Sequence, residues 1–149
     1  MEKRITGHTE LLGLVATPIR HSKSPVMHNA ACRALGLDYA YLAFDIQPDQ
    51  LEDAVKGFKA LNVRGWKTTI GQYLDHITPI AKMCGAINTV INDNGVLTGT
   101  ITDGTGYMSA LKDQGIDIID KKMTIVGAGG AATAIVMQAA LDGVKEISI

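Results

Sequence analysis

Apolar positions along the chain change period several times, and each change marks an element. Glu10 to Ala16 (ELLGLVA) is a compact apolar run stopped by Thr17-Pro18, which predicts a short buried strand. Ser24-Pro25 then reads as an N-cap with proline at the first helical position. Val26, Met27, Ala30, Ala31 and Leu35 give the following helix one apolar face, and Gly36 ends it. Tyr39 to Ile46 is aromatic-rich and strand-like, Asp49 to Leu61 predicts an amphipathic helix facing inward through Leu51, Ala54, Val55, Phe58 and Leu61, and Val63 to Trp66 predicts another strand.

A short helical region precedes Pro79 in this reading, and Ala86 to Ile91 forms a strand. Asn92-Asp93-Asn94-Gly95 is a hairpin-type turn, with Val96 to Ile101 as the returning partner. Gly104 to Gln114 is helical and stops at Gly115. Met123 to Val126 is a short apolar strand, a helix runs to Leu141-Asp142 with Gly143 closing it, and Glu146 to Ile149 is a further strand. Alternating strands and helices predict an α/β fold: a three-layer N-terminal domain with a mixed, mostly parallel sheet, then the opening of a Rossmann domain. The expected division is 1–103, a linking helix and loop at 104–122, and a first βαβ unit at 123–149.

Composition narrows the function classes. The 149 residues are 46% hydrophobic and 19% charged with a net charge of −1, which fits a folded globular chain and gives no electrostatic case for nucleic acid or an anionic membrane. No apolar run is long enough to span a bilayer, and MEKRITGHTE lacks the apolar core of a signal peptide, so the expected location is cytoplasmic. Cys32, Cys84 and the four histidines show no metal-ligand spacing, and no metal is expected.

The candidate chemistry sits at three strand-to-helix junctions and on the strand Ala86 to Ile91. Gly127-Ala128-Gly129-Gly130-Ala131-Ala132 follows one strand and opens one helix. Gly127 suits a tight turn, Gly129 lets a backbone approach a pyrophosphate, and Ala132 is small enough for close helix packing. That context favours a dinucleotide over a bare glycine-rich turn. Ser22 and Ser24 are two hydroxyls at i and i+2 beside a helix start, suited either to one shared anion or to plain capping. Asn88 offers donor and acceptor together to a ring hydroxyl, and Asp103 stands at another strand-to-helix junction.

The ordered set His21-Ser22-Lys23-Ser24-Pro25, Gly85-Ala86-Ile87-Asn88-Thr89, Thr102-Asp103-Gly104-Thr105-Gly106 and the glycine-rich turn resembles the shikimate dehydrogenase family, including its quinate/shikimate branch, from about Leu11 to Ile149. The resemblance implies reversible oxidation of shikimate to 3-dehydroshikimate with NADP or NAD, on the route to chorismate and aromatic amino acids, with quinate as a second substrate and a monomer or homodimer as the assembly. It implies that Ser22 and Ser24 hold the substrate carboxylate, that Asn88 and Asp103 bind ring hydroxyls, and that Thr102 lines the pocket. It further implies a catalytic pair of Lys67 and Asp103, and a pyrophosphate loop at Gly127, Ala128, Gly129, Gly130 and Ala131.

The chain departs from the family in three places. Ile101 stands where an asparagine usually precedes the TDG triplet. The family's Asn-Val-(Ser/Thr)-x-Pro-x-Lys segment is shortened, so that Lys67 follows Arg64-Gly65-Trp66 at once. A full member is nearly twice as long, and the residue that separates NAD from NADP lies at the tip of the second nucleotide-binding strand. These departures motivate a competing expectation, a shikimate- or quinate-binding module without turnover.

Overall fold

A computed structural model describes residues 5–68 and 71–149. Its elements are β1 (Glu10–Ala16), α1 (Ser24–Ala34), β2 (Tyr39–Asp45), α2 (Leu51–Ala60), β3 (Gly65–Lys67), β4 (His76–Ile77), α3 (Pro79–Cys84), β5 (Thr89–Asp93), β6 (Val96–Thr100), α4 (Asp103–Asp113), β7 (Lys122–Thr124), α5 (Gly130–Leu141) and β8 (Glu146–Ser148). Six strands form a sheet in the order β2-β1-β3-β5-β6-β4, and β7 pairs with β8 in parallel. Within the large sheet β1 pairs in parallel with β2 and β3, β4 pairs in parallel with β6, and β5 is antiparallel to both β3 and β6. The sheet is mixed and mostly parallel, as its element pattern predicts.

Helices cover both faces. Phe58 of α2 packs with Phe44 of β2 and Trp66 of β3 at ring distances of 5.0 and 5.2 Å. Tyr41 is three positions from Phe44, so it points to the opposite face, where it stacks on His28 of α1 at 4.3 Å. The α2 side carries the main core, with Val55, Phe58, Val63 and Trp66 buried. Gly65 makes the closest backbone approach in the sheet centre: a Cβ there would lie 2.8 Å from the Val90 carbonyl oxygen.

Four local expectations are corrected. The apolar stripe read on α1 faces outward, with Val26, Met27 and Leu35 exposed at 73%, 60% and 71%. The inward stripe is instead Pro25, His28, Asn29 and Cys32. The cause is Asn29: its Nδ2 donates to the Tyr41 carbonyl (2.8 Å) and its Oδ1 accepts from the Tyr41 N–H (2.9 Å). β2 is an edge strand, and this amide satisfies backbone groups there that have no neighbouring strand. Secondly, Ser24 is not the N-cap; Lys23 is, and Ser24 already belongs to the helix. Thirdly, among the described residues no helix lies between β3 and Pro79; His76–Ile77 is a strand and α3 starts at Pro79. Fourthly, Leu61 lies beyond the end of α2 and is exposed, and a 3₁₀ turn at Pro48–Gln50 precedes that helix.

The hairpin joining β5 to β6 turns on Asn94-Gly95, at φ of 51° and 91°, the pair of positive angles a tight two-residue turn demands. Asn92, 1% exposed, anchors it: Oδ1 accepts from the Gly95 N–H and Nδ2 donates to the Val63 carbonyl.

Helices α4 and α5 cross at Gly104, where an added Cβ would lie 2.4 Å from the Ala134 carbonyl oxygen and 2.7 Å from the Gln138 Cβ. Gly106, two residues on, has nothing within 4 Å of such a Cβ. Gly104→Ala is therefore expected to destabilise the protein by about 1–3 kcal/mol through forced separation of the helices. Gly106→Ala should stabilise it by about 0.5–1 kcal/mol by removing glycine's entropy from a helix interior. Denaturant titration of the two variants reads both signs.

Candidate functional site

The sheet pairing gathers the sequence motifs at one edge. Leu14 pairs with Lys67, Lys67 with Thr89, and Thr89 with Thr100. This row crosses the C-terminal ends of β1, β3 and β6 and the start of β5. Ser22 and Ser24 follow β1, Asn88 precedes β5, and Thr102-Asp103 follow β6. Trp66 points to the α2 side, so Lys67, its neighbour, points to the α1 side. Lys67 is the last residue of β3. The adjoining Thr69, part of the lysine segment in the sequence, lies outside the described residues.

A hydrogen-bonded cluster occupies this edge. Asn88 Nδ2 donates to Asp103 Oδ1. Asn88 Oδ1 accepts from the Thr89 hydroxyl (2.8 Å) and the Thr102 N–H (3.1 Å), and the Thr102 hydroxyl lies 3.2 Å from the same oxygen. Lys67 Nζ donates to Thr102 Oγ1 at 3.4 Å. The structure thus brings Lys67, Asn88, Thr102 and Asp103 together, while Lys67 and Asp103 make no direct ion pair among the described residues. Asp103 lies in the first turn of α4 with Thr102 as the N-cap, and its carboxylate serves Asn88 rather than a backbone cap.

The helix start at Ser24 shows a division of labour. Ser22 Oγ accepts the Ser24 N–H at 3.2 Å, and the Ser24 hydroxyl has no hydrogen bond among the described residues. α1 has no side-chain cap, so its first-turn N–H groups keep their capacity for an anion. His28 lies one helical turn after Ser24, on the same side of α1. Burial holds its imidazole below the ordinary value of 6.5, and the Lys67 ammonium pushes the same way, which places Lys67 on the α1 side of the sheet. Tyr41, beneath His28, is 4% exposed; its hydroxyl has no hydrogen-bond partner among the described residues, and burial pushes its pKa up to about 12.

Sequence reasoning passed over Thr89, His28 and Tyr41. Thr89 sat inside a motif that was read only for its asparagine, and His28 was betrayed only by its i+4 spacing from Ser24. Tyr41 gave no local sign, because its face is set by strand alternation across a pairing with β1.

The glycine-rich turn has the expected geometry. Gly127 has φ of 115°, and Gly129 is the extended N-cap of α5, again without a side-chain cap. A Cβ added at Gly127, Gly129 or Gly130 would meet nothing within 4 Å. The N–H groups of Gly130 and Ala131 open the helix beside Ala128, so the cradle fits a phosphate. β7 ends at Thr124, short of the expected Val126, which is fully exposed. A separate cavity of about 730 Å³ lies between α4, α5 and residues 115–119, lined by Thr105, Met108, Lys112, Ile116 and Gln138; Lys67, Asn88, Thr102 and Asp103 are not among its lining residues. Among the described residues no helix is long and apolar enough to cross a membrane, and no His/Cys/Asp/Glu group could hold a metal ion.

Comparison with known proteins gives a consistent picture. The family model "Shikimate dehydrogenase substrate binding domain" matches residues 14–90. A shikimate dehydrogenase (NADP(+)) of Listeria monocytogenes serotype 4b is 67% identical over 153 residues, covering 99% of this chain and 53% of that protein. The crystal structure of a Listeria monocytogenes shikimate 5-dehydrogenase in complex with shikimate and NAD superposes with a TM-score of 0.88 at 64% identity, over 99% of this chain and 53% of that one. A ligand-free 5-ketofructose reductase of a Gluconobacter strain reaches the same TM-score at 34% identity, over 95% of this chain and 53% of that one. The chain spans about half the length of these relatives. The first match runs over 153 residues against 149 in the chain, so the relative holds residues inside the matched stretch that this chain lacks.

Two pH effects follow from the site's α1 face. Below about pH 6.5 the unfolded chain takes up a proton that buried His28 resists, so stability should fall toward acid until the folded imidazole also charges. Between pH 10 and about 12 the unfolded Tyr41 ionises before the folded one, so stability should fall again as pH rises. Tyr41→Phe should reduce the alkaline loss, leaving the part that comes from Tyr39 and Lys56, and raise stability at neutral pH by about 1 kcal/mol, because it removes a buried hydroxyl without a partner among the described residues. Unfolding curves across pH for both proteins check this.

Proposed function

The chain belongs to the shikimate dehydrogenase family, and from that premise we propose that it binds shikimate at the sheet edge and interconverts it reversibly with 3-dehydroshikimate using NADP or NAD. The observation that carries this reading is the cluster of Lys67, Asn88, Thr102 and Asp103 on the edge where Ser22, Ser24 and the start of α1 also lie. We read residues 1–103 as the substrate domain (its first four residues lie outside those described), 104–122 as the link, and 123–149 as the opening of the dinucleotide-binding domain.

Each residue has a role suited to its chemistry. The Ser24 hydroxyl, the Ser22 hydroxyl and the N–H groups at the start of α1 hold the substrate carboxylate. Asn88 and Asp103 hold ring hydroxyls, with Thr102 lining the same pocket. Lys67 takes the proton of the reacting hydroxyl during oxidation and returns it during reduction. The turn Gly127, Ala128, Gly129, Gly130 and Ala131 fits the pyrophosphate of the nicotinamide cofactor, which when bound supplies the hydride chemistry. Both cofactor forms remain in the proposal, since relatives carry the NADP(+) name while a solved neighbour holds NAD. Quinate is proposed as a second substrate.

One observation favours a second reading, a shikimate-binding module without turnover: among the described residues Lys67 and Asp103 make no direct ion pair and are joined through intervening side chains. Shikimate-dependent formation of NADPH or NADH, followed by absorbance, separates the two. The enzyme reading expects formation; binding by calorimetry without any formation selects the module. For the enzyme, Lys67→Ala is expected to lower kcat by roughly 10²–10⁴ with KM little changed. Ser24→Ala is expected mainly to raise KM, and an unchanged KM would return Ser24 to a purely structural place.

A further inference from the structure

Lys67 and Asp103 carry opposite charges in one cluster without touching, and the protons between them have a direction. Asn88 Oδ1 has two lone pairs, and these are taken by the Thr102 N–H at 3.1 Å and the Thr89 hydroxyl at 2.8 Å. The Thr102 hydroxyl accepts from Lys67 Nζ. Its own proton goes to Thr89 Oγ1 at 3.3 Å or to Asn88 Oδ1 at 3.2 Å, in either case away from Lys67. With Oδ1 already filled, Thr89 is the acceptor. The Asn88 amide, its oxygen fixed toward the threonines, must then turn Nδ2 toward Asp103, as it does.

We propose that Thr89 is a positioning residue, the middle link of a one-way hydrogen-bond relay running Lys67 → Thr102 → Thr89 → Asn88 → Asp103. Such a chain polarises in one sense from ammonium to carboxylate, each bond strengthening the next. It locks the Asn88 amide in one orientation and spends Asp103 Oδ1 on Asn88, leaving Oδ2 for a substrate hydroxyl. Thr89 sits opposite both Lys67 and Thr100 in the sheet, so strand register places it between Lys67 and the end of the strand that leads into Thr102 and Asp103. The role rests on the reading of Lys67 and Asp103 as site residues.

Thr89→Val keeps the shape and removes the hydroxyl; Thr89→Ser restores it. In ¹H–¹⁵N spectra of the ligand-free protein, the Asn88 side-chain amide should exchange about tenfold faster in Thr89→Val and return to about the wild-type rate in Thr89→Ser, both variants melting cooperatively. Shikimate binding should weaken about tenfold in Thr89→Val and recover in Thr89→Ser. Unchanged amide exchange in Thr89→Val overturns the relay, whatever binding does. An exchange effect with shikimate affinity unmoved in that variant, while Ser24→Ala or Asp103→Asn does weaken it, overturns the relay's role toward substrate. Shikimate affinity unmoved in both Ser24→Ala and Asp103→Asn, with the exchange effect intact, overturns the functional reading and leaves the relay standing.

Discussion

The pairing of β3 between β1 and β5 is the constraint on which the site depends. β3 is three residues long, yet it alone joins the parallel half of the sheet to the hairpin. Its register sets Lys67 opposite Leu14 on one side and Thr89 on the other. A slip of one residue would send Lys67 to the α2 side and Trp66 out of its aromatic cluster, since successive side chains alternate. Gly65 allows the approach to Val90 that the register needs, and Trp66, 4% exposed and packed on Phe58, penalises any other. Core packing on one face thereby fixes the chemistry on the other.

The polar edge is held by a different economy. Threonine hydroxyls and one amide satisfy each other between a cation and an anion, so that neither charge needs a direct partner. The hydroxyls belong to strand and cap positions whose backbones are already fixed by the sheet and by α4. Little side-chain freedom remains to be lost on organising them, because threonine's branched Cβ is stiff. On α1 the same principle appears in Asn29, which spends its side chain on backbone groups of an edge strand and so turns the helix's polar stripe inward.

The readable parts of this molecule were those governed by local chemistry. Strand β1, the Asn94-Gly95 hairpin, the glycine stop at Gly115 and the Gly127 turn each rest on residues whose intrinsic preferences decide the outcome. The α1 face was misread because apolar spacing at Val26, Met27 and Leu35 assumes that hydrophobicity chooses the buried side, whereas Asn29's two hydrogen bonds to Tyr41 chose it. The candidate site was legible as motifs but not as a network. Asn88 and Asp103 could be named from their junctions, while the place of Thr89 needed a cross-strand pairing that no single segment contains. The link between Lys67 and Asp103 was hidden for the same reason: Lys67 is bound to the end of β3, and Thr102 is what the sheet sets beside it.

The helix crossing at Gly104 has a mechanical meaning. Two backbones in contact make a fulcrum, and motion about a fulcrum is smallest beside it. Asp103 is one residue from the crossing on α4, and on α5 the contact at Ala134 is about one helical turn, ~6 Å, from the start of the helix at Gly130. Rocking of α5 over α4 would swing β8 and the far end of α4 widely. The spacing between the Asp103 carboxylate and the glycine-rich turn, with its short lever arms, would change least.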